Sequence, residues 1–453
     1  MIVNLMCQSE NFQLFNNIMD ILNDNLPLDL PLANTSYIKV IGVGGGGGNA
    51  VNHMYTKGIT DVSFVVCNTD NQDLERSPVP IKIQLGKETT QGLGAGSRPE
   101  VARKAAEESI DEIQRMLSEN TRMVFITAGM GGGTGTGASP IVAKTAHDMG
   151  ILTVGIVTIP FAFEGSKKIR QALEGVLSLS EHVDAILVIN NEKLKKIFPD
   201  LNLSNAFAKA DDVLANAAKA IAEIITIPGY INIDFADVNT TMKDGKVAIM
   251  NTGFASGENR ITKAIEDALT SPLLNTSDVS GASKVLLSLY CSHDNAIRME
   301  EITQIHEFMA KVGSDIEVIW GAAFDDTLED YVKVTLIATG FDVADIPGMP
   351  AAFLKKTEQE DEEIENEEEI IEDPTEEEVA IEAEIIKAIG ELYGDEIKTE
   401  VKEKAPTKQQ TIILDEDEKI EDDIPVVDIF DLENEENLKN IEKVPAWKRF
   451  MKK

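Results

Sequence analysis

A dense glycine run, Gly131-Gly132-Gly133-Thr134-Gly135-Thr136-Gly137, separates an apolar, strand-like stretch, Met123–Gly129, from a helical pattern over Ala138–Met149. No other feature limits the fold of this chain as strongly. Glycines at this density let the backbone curl tightly, so that several N–H groups converge on one anion. The helix that follows aims its N-terminal dipole at the same point. Thr134 and Thr136 add hydroxyl donors. No Lys closes the run, so it is not the lysine-bearing phosphate loop of ordinary NTPases. A flexible linker is a poor alternative, because linkers do not sit between a buried strand and a helix.

A second run, Gly42-Val43-Gly44-Gly45-Gly46-Gly47-Gly48-Asn49, opens the first helix of the chain, expected over Asn49–Lys57, after a strand over Tyr37–Val43. Alone it fits a dinucleotide fingerprint, with Asp70 as the acid ending the next strand, Val62–Val66. That reading needs one glycine loop and leaves Gly131–Gly137 unused. Further strands are expected at Ile81–Leu85, Met123–Thr127, Leu152–Ile159 and Ala185–Ile189, with helices between most of them. This alternation predicts an α/β fold with a doubly wound, mainly parallel sheet and ligands at the strand C-terminal ends. A long central helix follows, with Ser204 able to cap it and Phe207, Ala210, Leu214, Ala217, Ala218, Ile221 and Ile225 on one face. Pro228 stops it. A second, smaller α/β domain then has strands expected at Val247–Met250, Ser283–Tyr290, Asp315–Trp320 and Tyr331–Ala338. The expected organisation is an N-terminal extension (1–36), a nucleotide-binding domain (37–203), the central helix (204–227), the second domain (228–342), an acidic linker (343–442) and a basic peptide (443–453).

At 453 residues the chain exceeds one ordinary core. Its net charge of -37 is uneven, with 34 acidic and 7 basic residues between Thr357 and Glu442. The run through Asp361–Asp373 cannot bury enough apolar surface to order itself, so a disordered acidic tail is expected. Within it, Thr375-Glu376-Glu377-Glu378 is a capping box, and Ile381, Ile385, Ile389 and Leu392 have helical spacing up to Gly394. The last segment, Val444-Pro445-Ala446-Trp447-Lys448-Arg449-Phe450, reverses both charge and hydrophobicity and reads as a short partner-binding motif. In the extension, Phe12, Phe15, Ile18, Met19 and Leu22 fall at helical spacing. The acidic balance argues against nucleic acid and anionic lipid as partners. Cys7, Cys67 and Cys291 suggest neither a disulfide framework nor a zinc site, as in a reducing cytosol. No apolar run reaches membrane-spanning length, and the N-terminus lacks signal-peptide features, so no direct membrane insertion is expected.

The pair of glycine runs resembles the tubulin-like GTPases, the second run being similar to their signature phosphate loop. Asn232-Ile233-Asp234-Phe235-Ala236-Asp237-Val238 resembles the nucleotide-activating loop of the FtsZ family of bacterial cell-division proteins. Gly92-Leu93-Gly94-Ala95-Gly96, Ala128–Gly131, Phe163-Glu164-Gly165 and Ser271-Pro272-Leu273-Leu274 also match that family, and the likeness spans about residues 37 to 342.

The resemblance implies that Gly44, Gly45, Gly46, Gly47, Gly48 and Asn49 contact the α/β-phosphates of GTP or GDP. Gly131, Gly132, Gly133, Thr134, Gly135, Thr136 and Gly137 would wrap the polyphosphate, and Asp70 with Gly94, Ala95 and Gly96 would lie near the γ-phosphate. Glu164 would reach the ribose, Lys168 standing four residues on; Asn191 and Asp212 would read guanine, and Phe207 would stack on it. Asn232, Asp234 and Asp237 would act on the γ-phosphate of a neighbouring subunit in a head-to-tail homopolymer forming the cytokinetic ring. Mg²⁺ is expected because no phosphate-loop Lys offsets the charge. Membrane-adaptor division proteins would bind Val444–Phe450, holding a cytoplasmic protein at the mid-cell division site.

Bland roles stand beside these. Asp70 also suits a turn, Phe207 helix core, Asp212 a solvated helix face, and Asp234 a cap on a helix over Phe235–Met242. The chain departs from the family at Lys168, where Arg is usual, with Arg170 close by; at Asn190, where Pro is usual; at Asp211, where Asn is usual; and at Ser97-Arg98, where Ala-Asn is common. A nicotinamide-dependent oxidoreductase using Gly42–Gly47, and a scaffold that binds GTP without turnover, are the alternatives.

Overall fold

The structure, a computed structural model, describes residues 36–197, 202–269, 281–312, 316–342 and 346. The expectations for the N-terminal extension, for Ser271–Leu274, for the acidic linker with its capping box and for Val444–Phe450 lie outside the described residues.

Ten strands form one sheet in the order β3-β2-β1-β4-β5-β6-β7-β10-β8-β9. They are β1 (Ile38–Val43), β2 (Ser63–Asn68), β3 (Ile81–Gln84), β4 (Met123–Gly129), β5 (Leu152–Ile159), β6 (Ala185–Asn190), β7 (Lys246–Ser256), β8 (Lys284–Cys291), β9 (Glu317–Phe324) and β10 (Tyr331–Phe341). The first six are all parallel. Their order places the topological switch point between β1 and β4, the two strands that lead into the glycine runs, and ligands bind outside the strand C-termini at such a point. β7 joins β6 in parallel through only Ala185↔Lys246 and Ile186↔Val247. β10 then runs antiparallel to both β7 and β8, and β9 is parallel to β8.

The helices are α1 (Gly44–Thr56), α2 (Asn71–Arg76), α3 (Pro99–Glu108), α4 (Ile110–Leu117), α5 (Thr134–Asp148), α6 (Ser166–Ser180), α7 (Asn191–Ile197), α8 (Leu203–Thr226), α9 (Phe235–Met242), α10 (Arg260–Leu269) and α11 (Met299–Val312). Period-two alternation divides the core by sheet face. Ile41, Val43, Val65, Cys67, Val124 and Ile126 pack with Ala102, Ile113, Val142 and Leu173 from α3 to α6. Ile38, Val40, Phe64, Val66 and Phe125 pack with Ala50, Val51 and Met54 of α1 and with Leu214, Ala218 and Ile221 of α8. Both faces are thus covered by helices, as a parallel sheet requires.

Two corrections concern helix starts. α1 begins at Gly44 rather than Asn49, and α5 at Thr134 rather than Ala138, so much of each glycine run is a helical first turn. Glycine lacks apolar periodicity, which hides such a turn from pattern reading. The central helix is capped by Asn202, whose side chain accepts from Asn205 N, and not by Ser204. Among the described residues no helix is long and apolar enough to cross a membrane.

Candidate functional site

The two glycine runs meet at the switch point. Gly44 carries the chain from β1 into α1 at φ +72°, and a Cβ there would sit 2.7 Å from Gly135 N. Gly47 lies so close to β4 that a Cβ would be 2.2 Å from Thr127 O. The first N–H groups of α1 and α5 have no intrahelical acceptor, so both helix N-termini offer donors and positive dipole ends to one anion. Side chains fix the second run: Thr136 Oγ1 accepts from Gly131 N at 2.9 Å, and the Thr134 and Thr69 hydroxyls lie 2.7 Å apart. Gln171 of α6 donates to Gly132 O at 3.0 Å.

Asp70 caps α2, its Oδ1 accepting from Gln72 N at 2.9 Å and Asp73 N at 3.4 Å. It also forms an isolated bridge with Leu93, and Gly94 N donates to Thr69 O at 3.2 Å. These bonds bring Gly94–Gly96 to the second glycine run, with Ala95 buried against Gly133. The expected turn role of Asp70 therefore holds alongside its position at the site.

On the other side of α5, Glu164 accepts from Phe161 N at 2.9 Å and pairs with Lys168 Nζ at 3.2 Å. Arg170 stands two positions further along α6 and lines a groove with Arg103, Glu107 and Ser178. Phe161 is buried, stacks on Phe163 at 5.1 Å and meets the edge of the exposed Phe207 at 5.3 Å. Asn191 begins α7, and its Oδ1 is buried with no hydrogen-bond partner among the described residues. A buried acceptor without a partner is costly, and a bound donor would relieve that cost.

Asp212 projects from α8 onto α1, where Oδ1 accepts from Lys57 Nζ and lies 2.8 Å from His53 Nε2. Burial pushes its carboxyl up, but Lys57 and His53 outweigh that and hold it below the usual carboxylate range. The adjacent Asp211 is pushed up to about 6, chiefly by burial, with Asp212 adding to the rise and His53 opposing it. His53 and Lys57 escaped the sequence reading; their i, i+4 spacing on the first helix was the available signal.

The acids of the 232–237 loop stand apart from the glycine runs, beyond the far end of α8. α8 has 24 residues and is about 36 Å long at 1.5 Å per residue. Phe207 lies in its second turn and Asp212 in its third, and Asn232, Asp234 and Asp237 follow its end. Asn232 Oδ1 accepts from Gly229 N at 3.1 Å. Asp234 and Asp237 form a reciprocal capping box on α9, so the capping role expected of Asp234 is present and Asp237, at the third helical position, shares in it. No group of three or more His, Cys, Asp or Glu that could hold a metal occurs among the described residues.

A doubly wound sheet with two facing glycine-run helix N-termini, continued by a helix that separates a second α/β region, defines the tubulin-like GTPases. Residues 37–199 match the GTPase domain of the Tubulin/FtsZ family, and residues 246–342 match the C-terminal domain of the FtsZ family. The cell division protein FtsZ of Porphyromonas gingivalis is 56% identical over 307 residues, 68% of this chain and 67% of that protein. Its counterpart in Aquifex aeolicus is 46% identical over 311 residues, 68% of this chain and 84% of that protein. An empty FtsZ dimer structure from M. jannaschii superposes with a TM-score of 0.62 at 39% identity, covering 72% of this chain and 91% of that one. The chain belongs to the FtsZ family. It is a guanine-nucleotide-binding GTPase, and the oxidoreductase alternative falls.

Proposed function

We propose that this protein hydrolyses GTP at the junctions of a head-to-tail filament, and that such filaments build the division septum of a bacterial cell as its cytokinetic ring. One observation carries the reading: α8, about 36 Å long, starts where Phe207 meets Phe161 just beyond the C-terminal end of β5, on the strand edge that leads into the glycine runs, and the 232–237 acids follow its other end. One subunit then offers half a site at each end, and a heterologous contact of this kind repeats into an open filament.

In this reading Gly44–Asn49 and Gly131–Gly137 hold the polyphosphate, with Asp70 and Gly94–Gly96 at its γ end. Glu164 and Lys168 take the ribose side. Asn191 and Asp212 bind the guanine edge and Phe207 covers its face. Asp212 accepts from the N1–H and 2-amino donors, a pair adenine does not present. The neighbour's Asp234 and Asp237 orient water for attack on the γ-phosphorus, which breaks the bond to the β–γ bridging oxygen and yields GDP and phosphate. Capping uses Asp234 Oδ1 and Asp237 Oδ2, which leaves the second oxygen of each to accept from that water. Asn232 stands beside them.

Mg²⁺ bound with the nucleotide would offset phosphate charge. With no protein cage for an ion among the described residues, it would ride mainly on the phosphates, close to Asp70 and Thr134. The acidic linker would act as an extended spacer, and membrane-adaptor division proteins would hold Val444–Phe450, keeping a cytoplasmic protein at mid-cell.

The test is GTP hydrolysis per subunit across protein concentration, with light scattering on the same samples. Activity that rises together with scattering above a threshold supports the split site. Constant specific activity from dilute to concentrated protein would refute it.

A further inference from the structure

The loop between α8 and α9 is tied down residue by residue. Ile231 and Ala322 of β9 exchange backbone bonds, Ile231 N donating at 3.2 Å and Ala322 N at 2.9 Å. Ile233 is buried under Gly321, where a Cβ would come within 2.5 Å of Ile233 Cγ1. Gly229 N reaches Asn232 Oδ1. The remaining tie is made by side chains at the surface. Tyr230, 52% exposed, stacks on Phe324, the last residue of β9, with centroids 5.1 Å apart and planes at 25°. His293 stacks on Phe324 in turn, at 4.1 Å and 20°. The imidazole is fixed by Asp326, whose Oδ1 accepts from His293 N at 2.9 Å and lies 2.9 Å from its Nδ1. Ser292 Oγ donates to Glu329 O at 2.6 Å, and Asp325 N to Cys291 O at 2.9 Å, so the two segments that carry His293 and Phe324 are locked together.

We propose that the stack Tyr230–Phe324–His293, keyed by Asp326, sets the position of the loop that presents Asn232, Asp234 and Asp237 to the neighbouring subunit. This rests on the split-site reading above. Tyr230, Phe324 and His293 are positioning residues and touch no reacting atom. Tyr230 is four residues before Asp234, with the Ile231–Ala322 pairing and the buried Ile233 between, so a tilt of its ring is passed along a backbone with little slack. Without the stack, the loop keeps its backbone anchor but loses the side-chain brace on its outer side. Water-orienting carboxylates are sensitive to such shifts, since about 1 Å of misplacement can cost about 100-fold in rate.

The experiment uses the full chain with His293→Ala, His293→Phe, Phe324→Ala and Asp237→Ala. GTP affinity is measured on dilute protein, and turnover at saturating GTP is divided by the sedimented, polymerised fraction. The expected result for His293→Ala and Phe324→Ala is a fall in turnover per polymerised subunit of about tenfold, within the reach of such misplacement. Their GTP affinity stays at the wild-type value, and His293→Phe, which restores a flat ring, recovers at least half the rate. Wild-type turnover per polymerised subunit in His293→Ala overturns the proposal. So does a loss of GTP affinity in step with turnover, which would mark a general structural role, and so does failure of His293→Phe to improve on Ala. Asp237→Ala separates the layers: if it loses turnover while His293→Ala does not, only this inference fails, whereas unimpaired Asp237→Ala removes the split-site reading beneath it.

Discussion

Asp234 and Asp237 cap each other: Asp237 N donates to Asp234 Oδ1 at 3.0 Å, and Asp234 N donates to Asp237 Oδ2 at 2.9 Å. The same two carboxylates therefore start a helix and stand where a neighbour's γ-phosphate is expected, and substitution can separate the two duties. Asp237→Asn keeps an acceptor for Asp234 N–H, so stability should change by no more than a few tenths of a kcal/mol, against about 0.5–1.5 kcal/mol for the hydrogen bond lost in Asp237→Ala. Both should lose turnover by about 100-fold or more, the usual contribution of a positioned acid or base. Denaturant melts and GTPase rates on the same preparations check this. Wild-type turnover in Asp237→Asn would leave Asp237 with capping alone.

The neighbouring glycines Gly47 and Gly48 make opposite demands. A Cβ at Gly47 would lie 2.2 Å from Thr127 O, whereas one at Gly48 meets nothing within 4 Å. Gly47→Ala must push α1 away from β4 and should lose about 1–3 kcal/mol, as overpacked sites do. Gly48→Ala sits in a helix without a clash and should gain about 0.5–1 kcal/mol from reduced backbone entropy in the unfolded chain. Nucleotide-free unfolding curves decide it. Equal stability of the two variants would mean that the α1–β4 contact is not as close as described.

Much of this was legible from residues alone, for physical reasons. Strands such as Leu152–Ile159 are continuous apolar runs because helices cover both faces, and the reading placed that strand at its observed bounds. Glycine runs between strand and helix have few other uses, so both runs stood out in the sequence, and the structure brings them together at Gly44 and Gly135. Helix starts were misplaced where glycine removed periodicity, as at Gly44 and Thr134, and where two cap-forming residues stood two apart, as with Asn202 and Ser204. Pairings across the fold left little local trace, and none that named the partner. His53 meets Asp212 across 159 positions of sequence, and Tyr230, Phe324 and His293 come together from three separate segments.

Asp212 already has a cationic partner in Lys57 and a hydrogen-bonding one in His53, so its charge is assured before any base arrives. In the proposed site a carboxylate held ionised would accept two hydrogen bonds from the guanine edge, and charge-assisted bonds contribute about 1.5–3 kcal/mol. Asp212→Ala should therefore weaken GTP binding by about 10- to 100-fold and change the affinity for ATP little. Dissociation constants for both nucleotides, measured on dilute protein, give the ratio. If the GTP/ATP ratio survives the substitution, Asp212 is only an ion-pair partner for α1 and the base is read elsewhere.

Asp211 sets a pH dependence that relatives with Asn at this position should lack. Burial raises its pKa from 3.8 to about 6, so the folded protein holds a proton there that the unfolded chain releases at lower pH. Folding thus takes up a proton between about pH 4 and 6, and this contribution to stability falls as pH rises through that window. Below pH 4 both states are protonated and Asp211 resembles Asn; above pH 6 the folded state carries a partly desolvated charge beside Asp212. Allowing for its partial exposure, the penalty at pH 7 should be about 1–2 kcal/mol. Asp211→Asn should be more stable than the wild type by that amount at pH 7, with the advantage shrinking through pH 6 and vanishing near pH 4. Urea unfolding at stepped pH values follows the difference directly, and an offset that stays constant across the range would mean that something other than ionisation of Asp211 separates the two proteins.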